Sequence, residues 1–168
     1  MGFKRTSEPL AISFGLSESG ANTYTQEEIA LQLDVLNNEV FVVLAIDLNV
    51  APPDSAAGAD TAMSAQVSST SQAGIGNLSV TNIMAVTERT IRAAGFVDGG
   101  VAFSHFSGET PTADLDYIGI IATNNFFFGL AGNGNGGAKS GSGRLWGYRA
   151  RADATTYAAL VQSEILSS

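Results

Sequence analysis

Residues 28–50 read EIALQLDVLNNEVFVVLAIDLNV, the strongest structural signal in the chain. In the first part Ile29, Leu31, Leu33 and Val35 alternate with Glu28, Ala30, Gln32 and Asp34, the period of a strand with one face in a core and the other in water. In the second part residues 40–46, VFVVLAI, are apolar on both faces, as in a strand covered above and below. The run is far shorter than the ~20 residues that a membrane-spanning helix needs. Asn37 and Asn38 tolerate left-handed turns, so two long strands joined as a hairpin are predicted. Pro52 and Pro53 end the second strand, because proline cannot donate to a sheet ladder.

On either side the pattern stays β-like. Residues 10–14 are a short apolar run followed by a turn-rich segment at 15–20. Residues 62–71 alternate weakly, with Met63, Ala65 and Val67 opposite serine-rich positions, which predicts an exposed strand. Residues 84–91 are rich in β-branched side chains and predict a strand after a turn near Asn82, although Val80, Ile83, Met84, Thr87 and Ile91 also fit a helical spacing. Further strands are predicted at 97–106, at 117–130 with its Phe126-Phe127-Phe128 triplet, and at 144–152. Asp153 is placed to cap a final helix whose stripe is Ala154, Tyr157, Ala158, Val161 and Ile165. About eight strands with turns between them predict an all-β fold, a two-sheet β-sandwich of the single jelly-roll kind with a short C-terminal helix. One domain, 1–168, is expected, with an N-terminal arm at about 1–9 and a long, flexible glycine-rich loop at 132–143.

Composition narrows the function. The chain has no cysteine, which removes disulfides, thiolate catalysis and cysteine-held metal clusters. Sixteen acidic residues against eight basic give a net charge of −8, which repels nucleic acid and anionic membranes, so direct nucleic-acid binding is not expected. Only two of the basic residues are lysines, Lys4 and Lys139, a balance found in proteins of salty environments and equally in ordinary acidic ones. Ser7, Glu8 and Pro9 follow Lys4 and Arg5 where a signal peptide would need an apolar core, so neither a signal peptide nor a transmembrane segment is expected. Gly2 and Thr6 satisfy a myristoylation pattern only at its two small residues.

Several motifs invite chemistry. Gly132, Gly134 and Gly137 fit G-x-G-x-x-G, and Lys139-Ser140 approaches a phosphate-binding loop, but both need a helix immediately after. Gly141-Ser142-Gly143 and a strand follow instead, so no nucleotide cofactor is expected. His105 is the only histidine, and no serine lies in a G-x-S-x-G elbow beside it, so no catalytic residues are assigned. Asp47, Asp54, Asp60, Asp98, Glu109, Asp114 and Asp116 are candidates for paired acids or for calcium, with solvated loop charge as the default and no metal site assigned. Half of the basic residues, Lys139, Arg144, Arg149 and Arg151, share one short stretch with Trp146 and Tyr148. Arg144, Trp146 and Tyr148 fall on one strand face, Arg149 and Arg151 on the other. Basic and aromatic residues together suit a protein interface, so these five are the expected subunit contact.

The early strands at 28–50, the Gly/Asn/Ser stretch 132–143 and chain ends able to reach neighbours together resemble the small single-jelly-roll coat proteins of tailless icosahedral viruses. The resemblance implies a non-enzymatic capsid subunit located in the virion, assembling with copies of itself and with other capsid proteins, with an internal membrane allowed beneath the shell. With only Lys4 and Arg5, the arm departs from a basic genome-packaging arm. The competing class is a carbohydrate-binding or adhesive β-sandwich using Trp146, Tyr148 or loop carboxylates with calcium; a glycosidase-like sandwich comes third.

Overall fold

A computed structural model describes residues 3–56, 58–94, 103–107 and 116–167. The described strands are β1 (Lys4–Arg5), β2 (Leu10–Ser17), β3 (Thr25–Ala30), β4 (Glu39–Val50), β5 (Thr61–Ser68), β6 (Ile83–Arg92), β7 (Phe103–Ser107), β8 (Gly119–Ile121), β9 (Asn125–Asn133) and β10 (Ser140–Arg151), followed by helix α1 (Ala154–Ser167). The first sheet runs β1/β2–β10–β4–β8 and the second β3–β9–β5–β6–β7. The antiparallel pairs are nested: β2 with β10, β3 with β9, β4 with β8, and β5 with β6. A ribbon folded over in this way is a jelly roll, as predicted. Phe14 of β2 meets Phe126 and Phe128 of β9 with ring centroids 5.6 and 4.8 Å apart, joining the two sheets through the core.

The predicted hairpin at Asn37 and Asn38 does not form. β3 stops at Ala30 and pairs with β9 in the second sheet, whereas β4 pairs with β10 in the first. The alternation beyond Ala30 has another cause, since Leu31 and Leu33 are buried where the chain crosses between sheets. There the Leu31 N–H donates to the Asn124 carbonyl and the Leu33 N–H to the Asn124 side chain. Val35–Asn37 make a 3-10 turn, and Asn38 is left-handed at φ 57°.

β4 is covered on both faces, as its sequence predicts. Phe41 and Val43 enter the sandwich with Ile46, Leu48 and Val50, while Val40 and Val42 lie under α1. The inward positions change from odd to even because of a bulge: Gly147 opposes Val43 and Trp146 opposes Ala45, leaving Leu44 as the extra residue. A Cβ on Gly147 would lie 2.3 Å from the Val42 carbonyl oxygen and 2.4 Å from the Phe41 ring, so only glycine lets the bulge close.

Other expectations need correction. β5 is not exposed; it lies between β9 and β6, and its buried Gln66 donates to the Tyr24 hydroxyl and the Gly74 carbonyl while accepting from the Gly76 N–H. A buried polar side chain is tolerated there because these partners satisfy its amide. The predicted strand 117–130 is two strands, β8 and β9, in different sheets. Of the predicted strand 97–106, residues 97–102 lie outside the described residues. The stretch 132–143 supplies the end of β9 and the start of β10, with only 134–139 between them. Helix α1 is capped as expected, the Thr156 N–H donating to Asp153 at 2.7 Å. Its packed residues are Tyr157, Leu160 and Val161, and Ile165 faces outward.

Candidate functional site

Strand β10 carries the five expected contact residues, and the structure gives them different partners. Tyr148 packs with Val40, Val42 and Ala150 beneath α1, and the Arg5 guanidinium lies 4.7 Å from its ring centroid. Arg149 is half-buried. Its guanidinium donates to the Leu31 carbonyl at 2.8 Å and lies 4.0 Å from the Glu39 carboxylate, so it fastens the crossing between sheets. Arg151 is exposed opposite Lys4 of β1. Arg144 is exposed, donates to the Ser13 hydroxyl at 3.1 Å, and lies 6.0 Å from the Trp146 ring centroid. Six of the eight basic residues, Lys4, Arg5, Lys139, Arg144, Arg149 and Arg151, thus lie on β1, β10 or the connection entering β10.

The connection 134–139 is held in place, contrary to the flexible loop expected. Buried Asn135 donates to the Ala62 carbonyl and accepts from the Asp54 N–H. Buried Glu18 accepts from the N–H groups of Thr23, Gly132 and Lys139. Lys139 pairs with Asp54, which also accepts from the Gly136 N–H. The Lys139 hydrogen bond, then the Gly136 N–H, hold the Asp54 carboxyl below its ordinary range. Asp60 is lowered likewise by the N–H groups of Ala94 and Ala93, with Arg92 adding its charge. Protein donors already engage both carboxylates, and among the described residues no three His, Cys, Asp or Glu converge as a metal would require. The backbone of His105 lies on β7, at one edge of the second sheet, opposite Thr90. Asp98, Glu109 and Asp114 lie outside the described residues.

Sequence reasoning missed a groove of about 460 Å³ beside β8, whose lining includes Leu78, Met84, Tyr117, Ile120 and Leu160. One wall is set by buried Glu164 of α1, whose carboxylate accepts from the N–H groups of Ala122 and Thr123. Asn82 donates to the Glu164 carbonyl and ties the wall to the start of β6. Leu78 is 68% exposed and Tyr117 48%, and the helix ends on exposed Ile165 and Leu166. In the turn before β4, Leu36 is 95% exposed beside half-exposed Val35. Leu78 and Leu36 stand in irregular segments where no periodicity marks them.

No family model matches the sequence, and no curated protein matches it. Solved structures of viral capsid proteins are similar at low score. The VP2 subviral particle of infectious bursal disease virus matches at TM-score 0.32 and 9% identity, over 84% of this chain and 33% of that one. Desmodium yellow mottle tymovirus matches at TM-score 0.28 and 10% identity, over 89% of this chain and 93% of that one. The chain therefore spans about a third of the length of the VP2 protein. The jelly roll rests on the strand pairings, independently of these matches.

Proposed function

We propose that the chain is a structural virion protein, a self-assembling capsid subunit whose partners are copies of itself, with no catalytic role. The carrying observation is the pair of uncovered apolar features, the turn at Val35 and Leu36 and the groove at Leu78 and Tyr117. Large apolar side chains gathered at two places on a small jelly roll suit contact with another protein. Two different patches meeting between copies make a heterologous contact, the kind that closes into rings and shells. The exposed basic residues Lys4 and Arg151 offer an electrostatic counterpart to exposed Glu27 and Glu28 of β3. Of the five expected contact residues, Arg151 keeps that role in this reading, Tyr148 and Arg149 act within the subunit, and Arg144 and Trp146 lie on a separate face. The low-scoring capsid matches agree with the reading without carrying it.

Light scattering and negative-stain microscopy of the purified protein test this. Regular particles are expected. Leu36→Asp and Leu78→Asp should abolish them while leaving a folded monomer of unchanged melting temperature. A wild-type protein that stays monomeric across protein and salt concentrations overturns the proposal.

A further inference from the structure

The half of the first sheet not covered by α1 presents a second face. The register places Trp146 between Ala11 and Ala45, and in the next row Arg144 between Ser13 and Asp47, with Asn49 one row further on β4. Directly opposed residues share a face, so these side chains all point to one side of the sheet. Alanine on both flanks leaves the indole open at its sides, while the Arg144 guanidinium stands over one part of the ring, 6.0 Å from its centroid. The rows border a trough of about 270 Å³, just below the usual range of ligand clefts (roughly 300–1,000 Å³), room for no more than a single ring.

The polar groups point to the chemistry of the occupant. Arg144 and Asp47 place one cation and one anion side by side, so the face is neutral in sum within a chain of net charge −8. An anionic ligand drawn to Arg144 meets Asp47, and a cationic ligand meets the reverse. The Asp47 carboxylate, the Asn49 amide and the Trp146 indole N–H make no hydrogen bond within the described residues. Acceptors and donors of both kinds therefore surround an aromatic ring, which suits an uncharged polyol with one apolar side.

We propose that this face binds a neutral pyranose sugar, its C–H face laid on Trp146 and its hydroxyls shared among Arg144, Asp47 and Asn49. No metal takes part. The site is independent of the capsid reading and stands or falls separately.

Trp146 is the only tryptophan, so intrinsic fluorescence reports on the site directly. The full-length protein is titrated with methyl β-D-galactopyranoside, methyl α-D-glucopyranoside and methyl α-D-mannopyranoside, and with a sulfated heparin disaccharide as the anionic arm. A saturable change with at least one neutral pyranoside, unaffected by EDTA, is expected. Asp47→Ala and Asn49→Ala, both at exposed positions, should each weaken that binding about tenfold without changing the melting temperature. The proposal is overturned if no neutral sugar gives a saturable response, if Asp47→Ala binds as well as the wild type, or if only the sulfated disaccharide binds. It is overturned equally by emission that changes with protein concentration and ignores sugar, which would show a second copy covering the face.

Discussion

The two halves of the first sheet, built from the same strands β10 and β4, have opposite fates. Beyond the bulge at Leu44, toward Arg151, the outer face carries Val40, Val42, Tyr148 and Ala150 and is covered by α1. Toward Ser140 the same face carries Asp47, Asn49, Arg144 and Trp146 and is open. One extra residue in β4 separates the two. Without it Ile46, Leu48 and Val50 would fall on the outer face and the sandwich would lose them, because a one-residue slip reverses every side chain of a strand. The bulge thus lets one strand be apolar on both faces under the helix and alternate cleanly beyond it.

The largest expected effect is at the boundary itself. Gly147→Ala drives a Cβ against the Val42 carbonyl and the Phe41 ring, and neither has room to retreat within a buried strand pair. Overpacking against backbone should cost about 3 kcal/mol, with both halves of the sheet affected. Urea unfolding followed by circular dichroism and by Trp146 emission measures this. A cost below about 1 kcal/mol, within the tolerance of volume-conserving changes, would show that the bulge does not need glycine.

A smaller effect, confined to the covered half, is expected from Glu164→Ala. The change leaves the Ala122 and Thr123 N–H groups without their acceptor beneath the end of α1. An unsatisfied buried donor costs about 1–3 kcal/mol, so a loss of about 2 kcal/mol is expected. Amide exchange should accelerate in α1 and β8 and hold steady in β2. Uniform acceleration throughout would mean that the helix is not a separable cover.

The sheet was readable where side chains follow one period and unreadable where they change it. β4 is legible as a short continuous apolar run stopped by Pro52 and Pro53, and β10 as a strand that carries basic and aromatic residues on defined faces. The false hairpin arose because Leu31 and Leu33 keep a strand's period while bridging two sheets, and periodicity reports burial without naming the sheet. β5 reads as exposed because nothing in its own pattern shows that Gln66 is satisfied, by the Tyr24 hydroxyl from far upstream and by the loop at Gly74 and Gly76 that follows the strand. The glycine-rich stretch reads as loose because the groups fastening it, Glu18, Asn22 and Asp54, lie more than 75 residues earlier in the chain. In the candidate sites, the basic aromatic strand was visible as composition, but its division between an internal latch at Arg149 and an open face at Trp146 depends on register.

The smallest effect distinguishes the halves by acid. At the covered end Asp153 caps α1, and the Thr156 N–H and hydroxyl hold its carboxyl below the ordinary value. At the open end Asp54 is lowered by Lys139 and the Gly136 N–H. In both cases the unfolded chain binds a proton more readily than the folded one, so stability rises with pH between the folded and unfolded values. The contribution is complete above about pH 4, near the ordinary aspartate pKa, and is lost as pH falls through the depressed folded value. Asp153→Asn keeps a good cap without the titrating charge and should flatten the acid limb of the melting-temperature profile with little dependence on salt. Asp54→Asn removes a charge pair at the surface, so its effect should shrink as salt screens the wild-type pair. Profiles of both variants from about pH 6 down to pH 2.5, at low and high salt, bracket the ordinary aspartate range. If the two variants titrate with the same salt dependence, the acid response belongs to the net charge of the whole chain and the two ends of β10 are not independently fastened.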